Sequence, residues 1–425
     1  MSIPWSWTHE QKIPSRTDAA GRVVDALLEQ LRRDEWEPHD VFGVHMAVEE
    51  ALTLSRQAGD RRHEATSLRR LAIMLSEQRR FADMLPLARQ ALDLHRQLGD
   101  RSEEAHDLNV IGIALTGLGQ FAEAEAYIRE SGAVAEAVEL RVAVSNAIAN
   151  LVDLRLRLRD PQGALAVLDE YAAHPALADD EAASATLRWQ RANVLADLGQ
   201  FEAALKLASE VRPRAEALFG GSAALELGAF IARCQAELGE LDAAQAGLEA
   251  LLATQFAEAV PYGRGAVLYE LSFVQRLQSE AAGGDRARLE AARRSSDEVM
   301  ALARQFNPVR ALAYALDYAA EVSLALGEHA AALALSMEAV QTADDHPHEH
   351  FILERFLYTR ARVRLALGRA SEAADDLRRA QALVMAVAER LTDDALRRGW
   401  LENVRANRGL LALARTCTAG EKETA

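Results

Sequence analysis

The chain has 425 residues, 50% of them hydrophobic but only 5% aromatic, and a formal net charge of −16. That acidic balance excludes a chain-wide phosphate-backbone binder, which needs a basic footprint to displace counterions. The two cysteines, Cys234 and Cys417, stand far apart with no CxxC partner, which excludes a disulfide framework and a cysteine zinc site. No basic-then-apolar leader opens the chain, and no run approaches the ~18 uncharged apolar residues of a membrane span. The expectation is a cytoplasmic protein with no membrane contact and no direct nucleic-acid partner.

Residues 1–58 differ in texture from the rest. They hold Trp5, Trp7 and Trp36, an extended stretch over 8–15, a helix over 23–28, a turn at Glu37-Pro38 and a second helix through Glu49-Glu50-Ala51-Leu52. This order resembles the start of anti-sigma-factor serine kinases of the GHKL ATPase superfamily. The resemblance implies that Glu50 handles the attacking or Mg-bound water. The Asn that the family places four residues later to ligate Mg²⁺ is Leu54 here. No Asp-x-Gly-x-Gly follows, so no Gly-rich lid presents N–H groups to phosphates. The segment is expected to be an atypical N-terminal cap, a kinase-like remnant, with the helix over 41–57 packing as the second helix of a first, aberrant hairpin. The alternative activity implied is that of an ATP-dependent anti-sigma-type serine kinase or regulator.

Within the array over 59–390, a hinge recurs every 40 residues from Arg80 to Asp242: Arg80-Phe81-Ala82, Gln120-Phe121-Ala122, Asp160-Pro161-Gln162, Gln200-Phe201-Glu202 and Glu240-Leu241-Asp242. A period held over five copies predicts stacked helical hairpins. Around Phe121, Leu108, Ile111, Gly112 and Leu115 share one face of a first helix, and Ala124, Ile128 and Ser131 follow on a second. Gly112 is the small contact where the helices cross, and Gly119 ends the first helix. The same frame fits Leu68, Leu71, Ala72 and Leu75 before Phe81, and Ala192, Leu195, Gly199, Phe201 and Ala204. It fits again at Cys234, Gly239, Leu241 and Ala244, which turns Cys234 toward the core. After this the spacing loosens: Gly283-Gly284-Asp285, a degenerate copy, leads on to Gly327-Glu328 and Gly368-Arg369.

A small residue, a helix-ending Gly, an aromatic two residues on and an Ala three further resemble the tetratricopeptide repeat (TPR) family. The period exceeds the ~34 residues usual there, and the Pro that closes each repeat is mostly missing, so the helices are longer. The resemblance implies an all-α, right-handed superhelical solenoid of antiparallel helical hairpins, about eight repeats of 40–44 residues over 59–390. Residues 391–415 then read as a capping helix and 416–425 as a disordered tail. Long-period arrays look like the sensor regions of bacterial signalling proteins and large transcription activators.

No GxxxxGK[ST], HExxH or GxSxG occurs. Gly263-Arg264-Gly265 is a lone GxG and reads as a loop. His346-Pro347-His348-Glu349-His350 reads as an inter-repeat loop, since Pro347 and the i, i+2, i+4 spacing do not suit a preformed tetrahedral site. No catalytic residue, cofactor or metal is expected. TPR geometry implies a groove lined by the first helix of each hairpin. Its frame places Arg69, Asn109, Asn146, Asn150, Trp189, Asn193 and Arg233 there, with Asp317, Glu321, Tyr358 and Arg362 in equivalent rows further on. Asn amides both donate and accept, which suits an extended peptide backbone. Arginines suit carboxylates, and a tryptophan suits an anchor. The expected partner is a protein or peptide, and self-association through the ends of the array is the structural alternative.

Overall fold

The first helix of each hairpin ends at a residue in the left-handed conformation. At the Phe121 hinge, Gly119 has φ 74°. Its N–H bonds to the Thr116 carbonyl at 3.0 Å, and the Gln120 N–H reaches Leu115 at 2.9 Å, satisfying carbonyls the helix leaves open. Arg79 and Arg159 adopt the same conformation with φ of 59° and 55°, at a cost of about 1 kcal/mol each for a residue with a Cβ.

The computed structural model describes residues 41–423 apart from 173, 175–179, 256, 258–260 and 307–308. The readings on Trp5, Trp7, Trp36, the stretches 8–15 and 23–28, and the Glu37-Pro38 turn lie outside the described residues. Helix α1 (Val41–Ala58) precedes eight helix pairs. These are α2 (Arg61–Glu77) with α3 (Phe81–Leu98), α4 (Arg101–Gly117) with α5 (Phe121–Ala137), α6 (Arg141–Arg157) with α7 (Pro161–Ala172), and α8 (Glu181–Asp197) with α9 (Phe201–Val211). The series continues with α10 (Ala215–Glu237) and α11 (Leu241–Leu252), α12 (Pro261–Ala281) and α13 (Arg286–Phe306), α14 (Val309–Ala325) and α15 (His329–Asp345), and α16 (Leu353–Ala366) and α17 (Ala370–Arg390). A short α18 (Asp394–Arg398), a π-helical turn (Gly399–Asn403) and α19 (Arg405–Glu423) close the chain. The fold is an all-α helical-repeat solenoid, with no strand among the described residues.

The stripes read from the sequence form the core. Leu108, Ile111, Leu115, Ala124, Ile128 and Ser131 are fully buried, and the Ser131 hydroxyl donates to the Ala105 carbonyl at 2.7 Å, tying α5 to α4. A Cβ at Gly112 would run into the Ile128 side chain, so the helices cross where only glycine fits. Cys234 is fully buried on α10, as its place in the frame predicts. Val48 and Leu52 of α1 join Ala65 and Leu68 of α2 in one cluster.

One local reading is refined and two are corrected. The degenerate stretch around Gly283 is a full hairpin whose helices run 21 residues each, and the extra length accounts for the loosened spacing. Gly263-Arg264-Gly265 lies in the first turns of α12, not in a loop. A Cβ at Gly263 would sit 2.9 Å from Leu225 of α10, so the glycine permits close helix packing. Helix α19 continues to Glu423, through residues read as a disordered tail. Residues 201–237 form a run long and apolar enough to cross a membrane. It is interrupted by a 3-10 turn at Arg212–Arg214 and a non-helical Gly220, and much of it is core.

The hairpins divide into two compact units, one of residues 1–155 with 167–183 and the other of 156–166 with 184–425.

Candidate functional site

In a stack of hairpins, successive first helices lie side by side and present one face away from their second helices. In the first unit, α2, α4 and α6 carry Arg69, Asn109, Asn146 and Asn150; Arg69 and Asn109 are buried, Asn146 and Asn150 half-buried. The Arg69 side chain is 6% exposed and pairs with the Glu103 carboxylate and, at 3.4 Å, with Asp107 Oδ1. The other Asp107 oxygen lies 2.5 Å from His95 Nδ1, with both side chains fully buried. Burial pushes the Glu103 carboxyl up, but Arg69, His106 and His95 outweigh it and hold it at about 2. Beside this charged group, the Asn150 amide donates to Asn109 Oδ1 at 2.8 Å, bridging α6 and α4. Asn146 is half-buried one turn earlier on α6, and no side-chain hydrogen bond is recorded for it among the described residues.

The second unit places its predicted residues differently. Trp189 is 8% exposed and belongs to a core cluster with Ala192, Phe230 and Cys234. Its ring packs 5.7 Å from Phe219. Asn193 donates to the Trp189 carbonyl of its own helix at 2.9 Å. The Arg233 guanidinium turns toward Glu270, 3.9 Å away. Burial nonetheless dominates at Glu270 and pushes its carboxyl up to about 7 despite Arg233 and Arg355.

Further along the same unit, Glu321 meets Arg276 at 3.4 Å, Arg355 at 3.5 Å and Arg362 at 3.2 Å. Burial raises its carboxyl, and the three guanidiniums outweigh that and hold it well below the usual range. Asp317, fully buried with Arg355 at 2.8 Å, is pushed up instead. The Arg355 guanidinium also stacks 3.9 Å over the Tyr318 ring.

Glu103, Asp107, Glu270, Arg276 and Arg355 were not singled out by the sequence frame. A usable signal existed. Arg69 and Glu103 stand 34 residues apart, and so do Glu321 and Arg355, Arg89 and Glu123, and Arg96 and Glu130. Nearly one repeat period separates each pair, which is the offset that brings neighbouring hairpins together. Arg89–Glu123 and Arg96–Glu130 are about half exposed and contribute little, whereas the inner pairs are buried.

Residues 63–137, spanning hairpins α2–α3 and α4–α5, match the family model described as tetratricopeptide repeat. These two hairpins are of the tetratricopeptide-repeat type. The structure of a Rap protein complexed with competence and sporulation factor resembles this chain with a TM-score of 0.54 at 14% identity, over 88% of this chain and 99% of its own. The apo form of RapI does so with a TM-score of 0.52 at 11% identity, over 96% and 99%. At such identities the likeness is one of fold. No curated protein sequence matches the chain. TPR arrays serve in general as protein-interaction modules, since stacked repeats offer extended surfaces.

His346–His350 forms the loop before α16, and no metal-binding cluster of His, Cys, Asp or Glu occurs among the described residues. Glu50 is exposed on α1 beside Met46, Glu49 and Thr53.

Proposed function

We propose that the protein is a non-catalytic interaction module that binds a protein or peptide segment on the first-helix face of its first unit, in bacterial signal transduction or transcription regulation. The observation that carries this reading is the Asn109–Asn150 amide bridge with Asn146 beside it. The bridge uses one acceptor of Asn109 and one donor of Asn150. A primary amide carries two donors and an acceptor oxygen, so further positions remain on half-buried Asn150 and Asn146, while buried Asn109 holds Asn150 in place. A row of amides across successive helices matches the alternating N–H and C=O groups of an extended backbone. The Arg69–Glu103–Asp107 cluster beside it holds the helices in register and sets a local charge pattern for the partner.

Trp189, Asn193 and Arg233 are occupied by their own unit, and the reading assigns them a structural part. A relative of like fold has been solved with a factor bound, which is consistent with a ligand-holding role. The long repeat period, resembling sensor arrays, supports the regulatory setting.

The test is affinity capture from host lysate with wild-type protein, an Asn146→Ala/Asn150→Ala variant and an Arg89→Ala variant on the outer helices. The expected result is a partner retained by wild type and by Arg89→Ala and depleted at least tenfold by the double variant. Equal capture by all three would overturn the assignment of this face.

A further inference from the structure

Within the second unit, the segment after α17 turns back onto the beginning of the same unit. Gln162 and Thr392 exchange two hydrogen bonds, side chain to hydroxyl at 2.6 Å and backbone N–H to side-chain oxygen at 2.8 Å. Arg390 donates to the Leu158 carbonyl at 2.7 Å and Gln200 to the Ala395 carbonyl at 3.0 Å. Asn403 donates to the Gly199 carbonyl at 2.9 Å, and Arg405 meets Glu237 at 3.3 Å. These contacts span 168 to 232 residues of sequence. A stacked repeat contacts only its neighbours, so stacking does not require them.

The two sides of this segment are built differently. Its base is buried: Trp400, 7% exposed, donates from Nε1 to the Val384 carbonyl at 2.9 Å, and fully buried Asn407 holds the Trp400 carbonyl at 2.9 Å. Along its reach, the hydrogen bonds to Gln162, Leu158 and Gln200 are exposed, whereas those to Gly199 and Glu237 are partly buried. Exposed hydrogen bonds exchange with water at small net cost, so the base holds while the reach releases. At Gly399 the segment meets the α8–α9 turn closely, with Gly199 and Gly399 both buried. The Gly399 φ of −55° and ψ of −50° are helical and suit any residue, yet a Cβ there would lie 2.5 Å from the Leu198 carbonyl oxygen. The glycine is required by the closure and not by the backbone. The single π-helical turn over Gly399–Asn403 is a feature that in other proteins often marks functional positions.

We propose that residues 391–405 form a releasable strap that closes the second unit on itself and, when released, opens access to the end of α10 at Glu237. The strap is a conformational device separate from the partner-binding face of the first unit, and it stands or falls independently of that assignment.

The test is hydrogen exchange read by mass spectrometry on the full chain, comparing wild type, Gly399→Ala and Gln162→Ala/Gln200→Ala. The expected result is exchange at least tenfold faster in peptides covering 198–203 and 231–237, with α14–α16 and the helical circular dichroism unchanged. Wild-type protection at 198–203 in both variants would overturn the proposal. So would acceleration spread evenly over the second unit, because that marks a contact needed for folding. The double variant only removes side chains, so it reports even where the crowding in Gly399→Ala prevents folding.

Discussion

Replacing Glu103 by glutamine tests whether the charged cluster of the first unit stabilises the fold through the Arg69 contact. Burial alone would raise the Glu103 carboxyl, yet Arg69, His106 and His95 bring it from 4.5 down to about 2. At 1.36 kcal/mol per unit that displacement corresponds to about 3 kcal/mol at neutral pH. Glu103 is 19% exposed and Arg69 keeps its Asp107 contact in the variant, so Glu103→Gln should cost about 1–3 kcal/mol at pH 7. The folded-state value lies below the unfolded one. The contribution is therefore complete above pH ~4.5 and is lost as pH falls toward 2. At pH 3.5 the gap between wild type and variant should be smaller by about 1.4 kcal/mol. Urea titrations at the two pH values give the gap, and hydrogen exchange in α2 and α4 assigns it to the first unit. Equal midpoints at pH 7, or a gap that does not shrink at pH 3.5, would refute the electrostatic account of this contact.

Glu270 runs in the opposite direction. Its folded value is raised to about 7 by burial, so its contribution is complete below pH 4.5 and is lost as pH rises through 7. Glu270→Gln should therefore gain up to about 3 kcal/mol on wild type between pH 4.5 and 8 in parallel melts, and a constant difference would contradict this. Gly112→Ala should destabilise by up to about 2 kcal/mol, since overpacking against Ile128 exceeds the ~1 kcal/mol helix gain of alanine. In an Ile128→Ala background the same change should become stabilising, and thermal melts of the four proteins decide the sign. Cys234, fully buried with its thiol pushed up to about 12 by burial, should react with a thiol reagent only in denaturant. Labelling of the native protein at that site, located by peptide mapping, would contradict its place in the core.

The sequence alone determined the repeat. Period, hinge glycines and the apolar stripes of α4 and α5 are local properties, because each hairpin is built from contacts within some 40 residues. The same locality placed Cys234 inward and Gly112 at a helix crossing. Period also put Asn109 and Asn150 in matching rows, and the structure joins them through one hydrogen bond. What a side chain does on its row was not local. Trp189 could be assigned a position but not a neighbour, and Phe219, brought in from a different helix, made it core. Arg69, Arg233 and Asp317 found partners on the next repeat, and the balance of burial against those partners decided that Glu103 was held ionised while Glu270 and Asp317 were pushed up. The return of Gly399 to Leu198 lay furthest from view. A helical φ and ψ gives no sign that glycine is needed, and only the arrival of a backbone 200 residues away in sequence supplies the reason.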